Sequence, residues 1–203
     1  NVNNKIDTAK NLTEKESVAA FTVTTELNTQ VLEAAKQETV NPGTASIKFA
    51  DAEIVLNHAL SIPRLTASVL VPNLKGAFRA IEAGAQKISF VLSASDAHNQ
   101  SNVRCSTDDS LAMFRDLRQE IKPADGIIIV GAIATSFGCS IQKEVEGARV
   151  VEIATEMAHA GADEINLADT VGYANPYQVK KLFSDVAQAV GDIPLAAHFH
   201  DTR

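Results

Sequence analysis

Gly126-Ile-Ile-Ile-Val-Gly-Ala-Ile-Ala134 is a nearly unbroken apolar run of strand length. A strand with one wet face alternates apolar and polar residues, whereas a strand covered on both faces does not. This stretch therefore predicts a buried strand in a parallel sheet with helices packed on it. Upstream, residues 66–71 and 87–92 are β-rich, the first closed by Pro72; downstream, residues 164–168 and 193–200 complete five such runs. Helical patterns fill the intervals. Asn73 can cap a helix carrying Leu74, Ala77, Phe78 and Ile81 on one face and ended by Gly84. Ser106 with Asp109 is a capping pair for a helix burying Leu111, Phe114, Leu117 and Ile121. Val150, Ile153, Ala154 and Met157 line a third helix, closed by Gly161. Asn175, Pro176 and Gln178 open a fourth, with Leu182, Phe183, Val186 and Val190 as its stripe. Residues 93–104 read as a polar loop, and a loop with Ser136, Gly138 and Cys139 follows the central strand.

The class is α/β. Right-handed crossovers leave a closed (β/α) barrel or an open doubly wound sheet. Neither Gly-x-Gly-x-x-Gly nor a P-loop occurs, which disfavours a dinucleotide-binding sheet. Polar residues recur after the strands (Ser93 and Ser95, Ser136, Asp169 and Thr170, His198 and His200), as the catalytic rim of a barrel requires. The segment Ala83-Gly-Ala-Gln-Lys-Ile-Ser-Phe90 is echoed by Ala160-Gly-Ala-Asp-Glu-Ile-Asn-Leu167. Either an internal repeat or convergence on a good helix-to-strand turn explains the echo. The first 65 residues are less regular. Residues 1–11 are polar and predicted disordered, residues 14–21, 25–36 and 50–60 suit helices, 21–24 resemble a strand, and 39–46 a turn.

At 203 residues the chain can form one domain with a sizeable core. A net charge of −7 argues against nucleic acid or an anionic membrane as the main partner. Cys105 and Cys139 form neither a C-x-x-C pair nor a disulfide framework, which suggests reduced thiols in a cytoplasmic protein. No apolar stretch reaches the roughly 18 residues that span a bilayer, and no export signal is evident.

Chemistry concentrates in Pro194-Leu-Ala-Ala-His198-Phe-His200-Asp-Thr-Arg203. Side chains alternate along a strand, so His198 and His200 point the same way, and two neutral imidazoles side by side suit a divalent cation. Two half-buried histidines bonded to backbone are the competing reading. The position at a strand end favours the metal.

From about residue 49 onward the chain resembles the hydroxymethylglutaryl-CoA lyase family, within the metal-dependent lyases and Claisen-type synthases built on a (β/α)₈ TIM barrel. The matching stretches are Val71-Pro-Asn-Leu-Lys-Gly76, Ser93-Ala-Ser-Asp-Ala-His98 with Asn102-Val-Arg104, Ser136-Phe-Gly-Cys139, Ala168-Asp-Thr-Val-Gly-Tyr-Ala-Asn-Pro176 and His198-Phe-His-Asp-Thr202. The resemblance implies a lyase-like barrel domain over residues 49–203, preceded by a poorly matched segment, 1–48. It implies that His198 and His200 bind Mg²⁺ or Mn²⁺, that Asp169 or His198 acts as the base, and that Ser95, Asn102 and Thr170 contact an acyl-CoA. The implied reaction is retro-Claisen cleavage of 3-hydroxy-3-methylglutaryl-CoA, or a close analogue, to acetyl-CoA and acetoacetate. A related synthase condensing 2-oxo acids and a catalytically incomplete barrel are the alternatives, and a homo-oligomer is compatible with all three. Cys139 matches a family position but reads as a structural thiol.

Some family features have no counterpart. No Arg-Asp, the family's opening ligand pair, precedes Phe49. The glycine-rich loop with a mobile cysteine and the late asparagine ligand would follow Arg203. The barrel is therefore expected to be incomplete, without early strands and a last strand. These 203 residues alone are expected to bind metal weakly and to lack turnover.

Overall fold

The computed structural model describes residues 52–122 and 125–200. The expectations for residues 1–51 lie outside this range, apart from the helix predicted at 50–60. The chain divides into two compact units, 1–64 and 65–203. In the first, α1 (Ala52–Leu60) carries Glu53 in its first turn and buries Leu56.

The second unit is a single parallel sheet with helical connections. Its elements run β1 (Ser68–Val71), α2 (Leu74–Glu82), β2 (Lys87–Ser93), α3 (Asp96–Val103), α4 (Thr107–Glu120), β3 (Ile128–Ala134), α5 (Gly147–Ala160), β4 (Glu164–Asp169), α6 (Pro176–Val190) and β5 (Leu195–Phe199). The strand order is β1-β2-β3-β4-β5, every neighbour parallel. This order decides between the two architectures. A doubly wound sheet reverses direction at a switch point, whereas a barrel wall adds each strand beside the last. Successive right-handed crossovers in one direction place all helices on one face. The expected incomplete (β/α)₈ barrel is what the structure contains.

Strand alternation sorts residues between the two faces. Phe90 meets Phe114 of α4 edge-on, ring centroids 5.7 Å apart at 73°. A Cβ on Gly131, paired with Phe90, would lie 2.6 Å from Met157 Sδ of α5. That row, with Ile88, Leu92, Ile129, Ile133, Ile165 and Leu167, faces the helices and is fully buried. Glycine at 131 lets α5 approach the sheet closely. The opposite row faces the barrel interior. It holds Lys87 and Glu164, whose side chains bridge β3 at 2.7 Å.

Lys87 and Glu164 occupy equivalent places in the internal echo, 77 residues apart. Their predecessors are also equivalent in action. Gln86 Oε1 accepts the Ala67 N–H, and Asp163 Oδ2 accepts the Ile129 N–H, so each helix-to-strand turn clamps the start of the preceding strand. Arg118 of α4, whose side chain is nearly buried, also donates to Asp163 at 3.2 Å.

The predicted caps form as drawn. Ser106 and Asp109 make a reciprocal capping box, as do Asn175 and Gln178, with Pro176 in the first turn. Asn73 caps α2 through the Gly76 N–H. Two features differ from expectation. Residues 93–104 are not wholly loop: they contain α3, capped by Ser95. Phe78 is 39 % exposed because α2 buries Ala77 and Ala80 instead.

Candidate active site

The carboxyl ends of β2 to β5 form a rim. His198 and His200 leave it on the same side, their rings stacked with centroids 4.8 Å apart and planes 8° from parallel. Both are exposed. Burial of part of the ring, then the neighbouring His200, holds His198 below the usual histidine value. Neutral imidazole at pH 7 keeps the lone pair a cation needs.

Register places His198 in a layer. It pairs with Ala168, and Ser93 pairs with Ala134. Carrying the β3–β4 register one residue beyond Ile133 and Leu167 sets Ala134 beside Ala168. Ser93, Ala134, Ala168 and His198 thus span four strands at one height on the inner face. Ala134 and Ala168 lie between Ser93 and His198 in this layer. One layer below lies Asn166, paired with Ala196, its Oδ1 buried without a hydrogen-bond partner. Two imidazoles, and an unsatisfied amide oxygen on the same row of the sheet, are donor types that suit a divalent cation. Among the described residues no group of three or more His, Cys, Asp or Glu that could hold a metal ion comes together.

Asp169 stands on the other row, paired with Phe199, and is 3 % exposed. Its Oδ1 accepts the Tyr173 N–H at 2.9 Å and its Oδ2 the Ala174 N–H at 3.0 Å. The carboxylate closes the loop between β4 and α6. Asp169→Ala is expected to destabilise the fold by about 1–3 kcal/mol for each N–H left unpaired. Urea unfolding without metal or substrate measures this, and a loss near zero would rule out the loop-closing role.

Thr170 Oγ1 accepts the Thr135 N–H at 2.8 Å, and Thr135 Oγ1 accepts the Ser95 N–H at 3.1 Å. These bonds tie the ends of β2, β3 and β4 together. Ser95 is fully buried; its Oγ accepts the His98 N–H and donates to Gln142 Oε1 at 3.0 Å. Asn102 is exposed on α3. Cys139 Sγ accepts the Ile141 and Gln142 N–H groups at 3.2 and 3.3 Å. Burial raises its thiol pKa, but the Ser95 hydroxyl and the loop N–H groups outweigh this and the net shift is downward.

The structure also joins residues that no motif spacing connected. Asn99, fully buried, accepts the Ser93 N–H and donates to Cys105 O, Ser106 O and Ser110 Oγ. Thr107 adds a bond to Ser93 O. This knot fixes Ser93, whose Oγ lies 2.7 Å from His98 Nδ1. Adjacent polar residues after β2 were the available signal, but their partners became visible only in three dimensions.

Comparison with known proteins agrees with this architecture. The hydroxymethylglutaryl-CoA lyase of Acinetobacter baumannii, solved with coenzyme A and 3-methylmalate, is 36% identical with a TM-score of 0.69, covering 75% of this chain and 50% of that one. The Pseudomonas aeruginosa enzyme is 32% identical with a TM-score of 0.68, covering 75% and 51%. The mitochondrial hydroxymethylglutaryl-CoA lyase of Bos taurus is 34% identical over 155 residues, 76% of this chain and 47% of that protein. The chain spans about half the length of the curated relatives it matches. The HMGL-like family model matches residues 29–203, and on that match, with the sequential parallel barrel wall beneath it, the chain belongs to the HMGL-like family.

Proposed function

We propose that the protein containing this chain is a divalent-metal-dependent acyl-CoA lyase. It would cleave 3-hydroxy-3-methylglutaryl-CoA, or a close analogue, to acetyl-CoA and acetoacetate. The observation that carries this reading is the stacked His198–His200 pair on the inner rim, in a chain whose relatives are carbon–carbon lyases. His198 and His200 would hold Mg²⁺ or Mn²⁺. When bound, such an ion supplies charge that lowers the alcohol pKa and fixes the reacting oxygens.

The remaining work falls to side chains. A base takes the tertiary hydroxyl proton, the adjacent C–C bond breaks, and its electron pair moves onto the thioester as an enolate. The freed carbonyl leaves as acetoacetate, and a proton to carbon completes acetyl-CoA. His198 is one candidate base, in a state where its lone pair is not given to the cation. Asp169, the other, has each carboxylate oxygen bonded to a loop N–H. This supports a positioning part for it: it sets the loop that begins at Thr170. Ser95 is likewise engaged on both sides, which supports a role in shaping the acyl-CoA pocket through Gln142. Asn102 and Thr170 complete the proposed pocket. We further propose a cytoplasmic protein on its two free thiols, Cys105 and Cys139.

The test is product analysis with Mn²⁺ on the full-length protein that contains this chain. Acetoacetate and acetyl-CoA appearing in equal amounts from 3-hydroxy-3-methylglutaryl-CoA support the reading. Condensation of acetyl-CoA with a 2-oxo acid, without cleavage, would replace it with the synthase alternative.

A further inference from the structure

The helix that follows β2 carries a histidine, His98, that the reaction above does not use. His98 is half-buried on α3, and its Nδ1 lies 2.7 Å from Ser93 Oγ. The Ser93 backbone is held on both sides: its N–H is bonded to Asn99 and its carbonyl to Thr107, both fully buried. The His98 backbone is fixed as well, through its N–H to Ser95 Oγ. Among the described residues Nε2 has no hydrogen-bond partner, although it is not sealed from solvent. One ring nitrogen is therefore pinned and the other is free.

The strand register relates His98's anchor, Ser93, to His198. Ser93 and His198 share one layer of the inner face, separated by Ala134 and Ala168. Three strand spacings are about 14 Å along the sheet, and barrel curvature shortens the span across it. An imidazole from each side, a cation and a short acyl group fill that gap. Asn102 follows His98 by four residues, one helical turn, and so lies on the same side of α3. The stripe carrying the proposed acyl-CoA contact thus contains His98.

We propose that His98 is a further catalytic residue of this lyase: its Nε2–H donates a hydrogen bond to the thioester carbonyl oxygen of the acyl-CoA, where enolate charge develops. Ser93 is the positioning residue. In this role its hydroxyl donates to Nδ1, the arrangement that pairs with hydrogen on Nε2. No proton is transferred by His98 in this role. The bond strengthens as the C–C electron pair arrives on the thioester, which is the requirement for accelerating the step. Burial lowers the His98 pKa, so the ring stays a neutral donor at pH 7.

This inference rests on the acyl-CoA reading, and the experiment separates the two. Acetyl-CoA and its thioether analogue S-ethyl-CoA, which lacks the carbonyl oxygen, are titrated calorimetrically into the full-length protein that contains this chain. The wild type is expected to bind acetyl-CoA about 10-fold more tightly, the size of one good hydrogen bond. His98→Phe is expected to erase the preference while still binding S-ethyl-CoA. His98→Gln, which retains an N–H donor, is expected to restore part of it, and Ser93→Ala to reduce it. If the wild type binds both ligands equally, or His98→Phe keeps the preference, the His98 role is overturned and acyl-CoA binding stands. If the wild type binds neither, the acyl-CoA reading fails and takes this role with it.

Discussion

Replacing His198 and His200 together with alanine is expected to remove specific Mn²⁺ binding, and either single replacement to weaken it by at least about 100-fold. Disturbing only the groups that orient a ligand already costs about 10–100-fold in affinity. The two rings supply neutral donors from adjacent same-side positions, and their planes are nearly parallel at 4.8 Å. Both side chains are exposed, so their removal leaves the sheet intact. Equilibrium dialysis against Mn²⁺ measures the loss. Unchanged affinity in the double variant would remove the metal from this rim altogether.

Phe90→Ala is expected to have the largest effect on stability, about 3–5 kcal/mol, the usual range for a buried phenylalanine truncated in a core. Phe90 is fully buried on the helix-facing row, with Phe114 edge-on to it. The truncation removes both the apolar area and the ring pair. Three residues later in β2 stands Ser93, so the cavity would also loosen the strand end that holds His98. Against a typical total of about 5–15 kcal/mol, this loss is large. Urea unfolding reads it directly. A shift below about 1 kcal/mol would mean that the sheet and α4 do not share the core described here.

Much of this fold was legible in the sequence because its signals are local. The apolar run at 126–134 demanded cover on both faces, and the structure supplies helices on one and a barrel interior on the other. Ser106 with Asp109, and Asn175 with Pro176 and Gln178, stated helix starts in three or four residues each. Sequential strand order was less accessible: the βαβα pattern fits a barrel or a doubly wound sheet, and only the register decides. The helix at 96–103 was hidden for a different reason. Its one fully buried side chain is Asn99, held by hydrogen bonds rather than by apolar packing, so no hydrophobic period announces it. Phe78 misled in the opposite direction, since two alanines bring α2 close enough to the sheet to leave the larger ring outside.

The candidate site divides along the same line. His198 and His200 are two residues apart on one strand, so alternation alone predicts their shared face. Asp169 lies on a different strand, and alternation within β4 cannot say which of its faces matches the face of β5. The β4–β5 register answers that: Ala168 pairs with His198, and Asp169 turns toward the loop N–H groups. The Ser93–His98 contact depends on a helix that composition did not reveal, and Asn166 is reached only through two strand registers.

Pulsed electron spin-echo spectroscopy of the Mn²⁺-loaded full-length protein that contains this chain tests the paired-imidazole site most directly, because it detects nitrogen nuclei bonded to the ion. Modulation from two imidazole nitrogens is expected, falling to one in His198→Ala and in His200→Ala. A spectrum without nitrogen coupling, or one that neither substitution alters, would contradict the site.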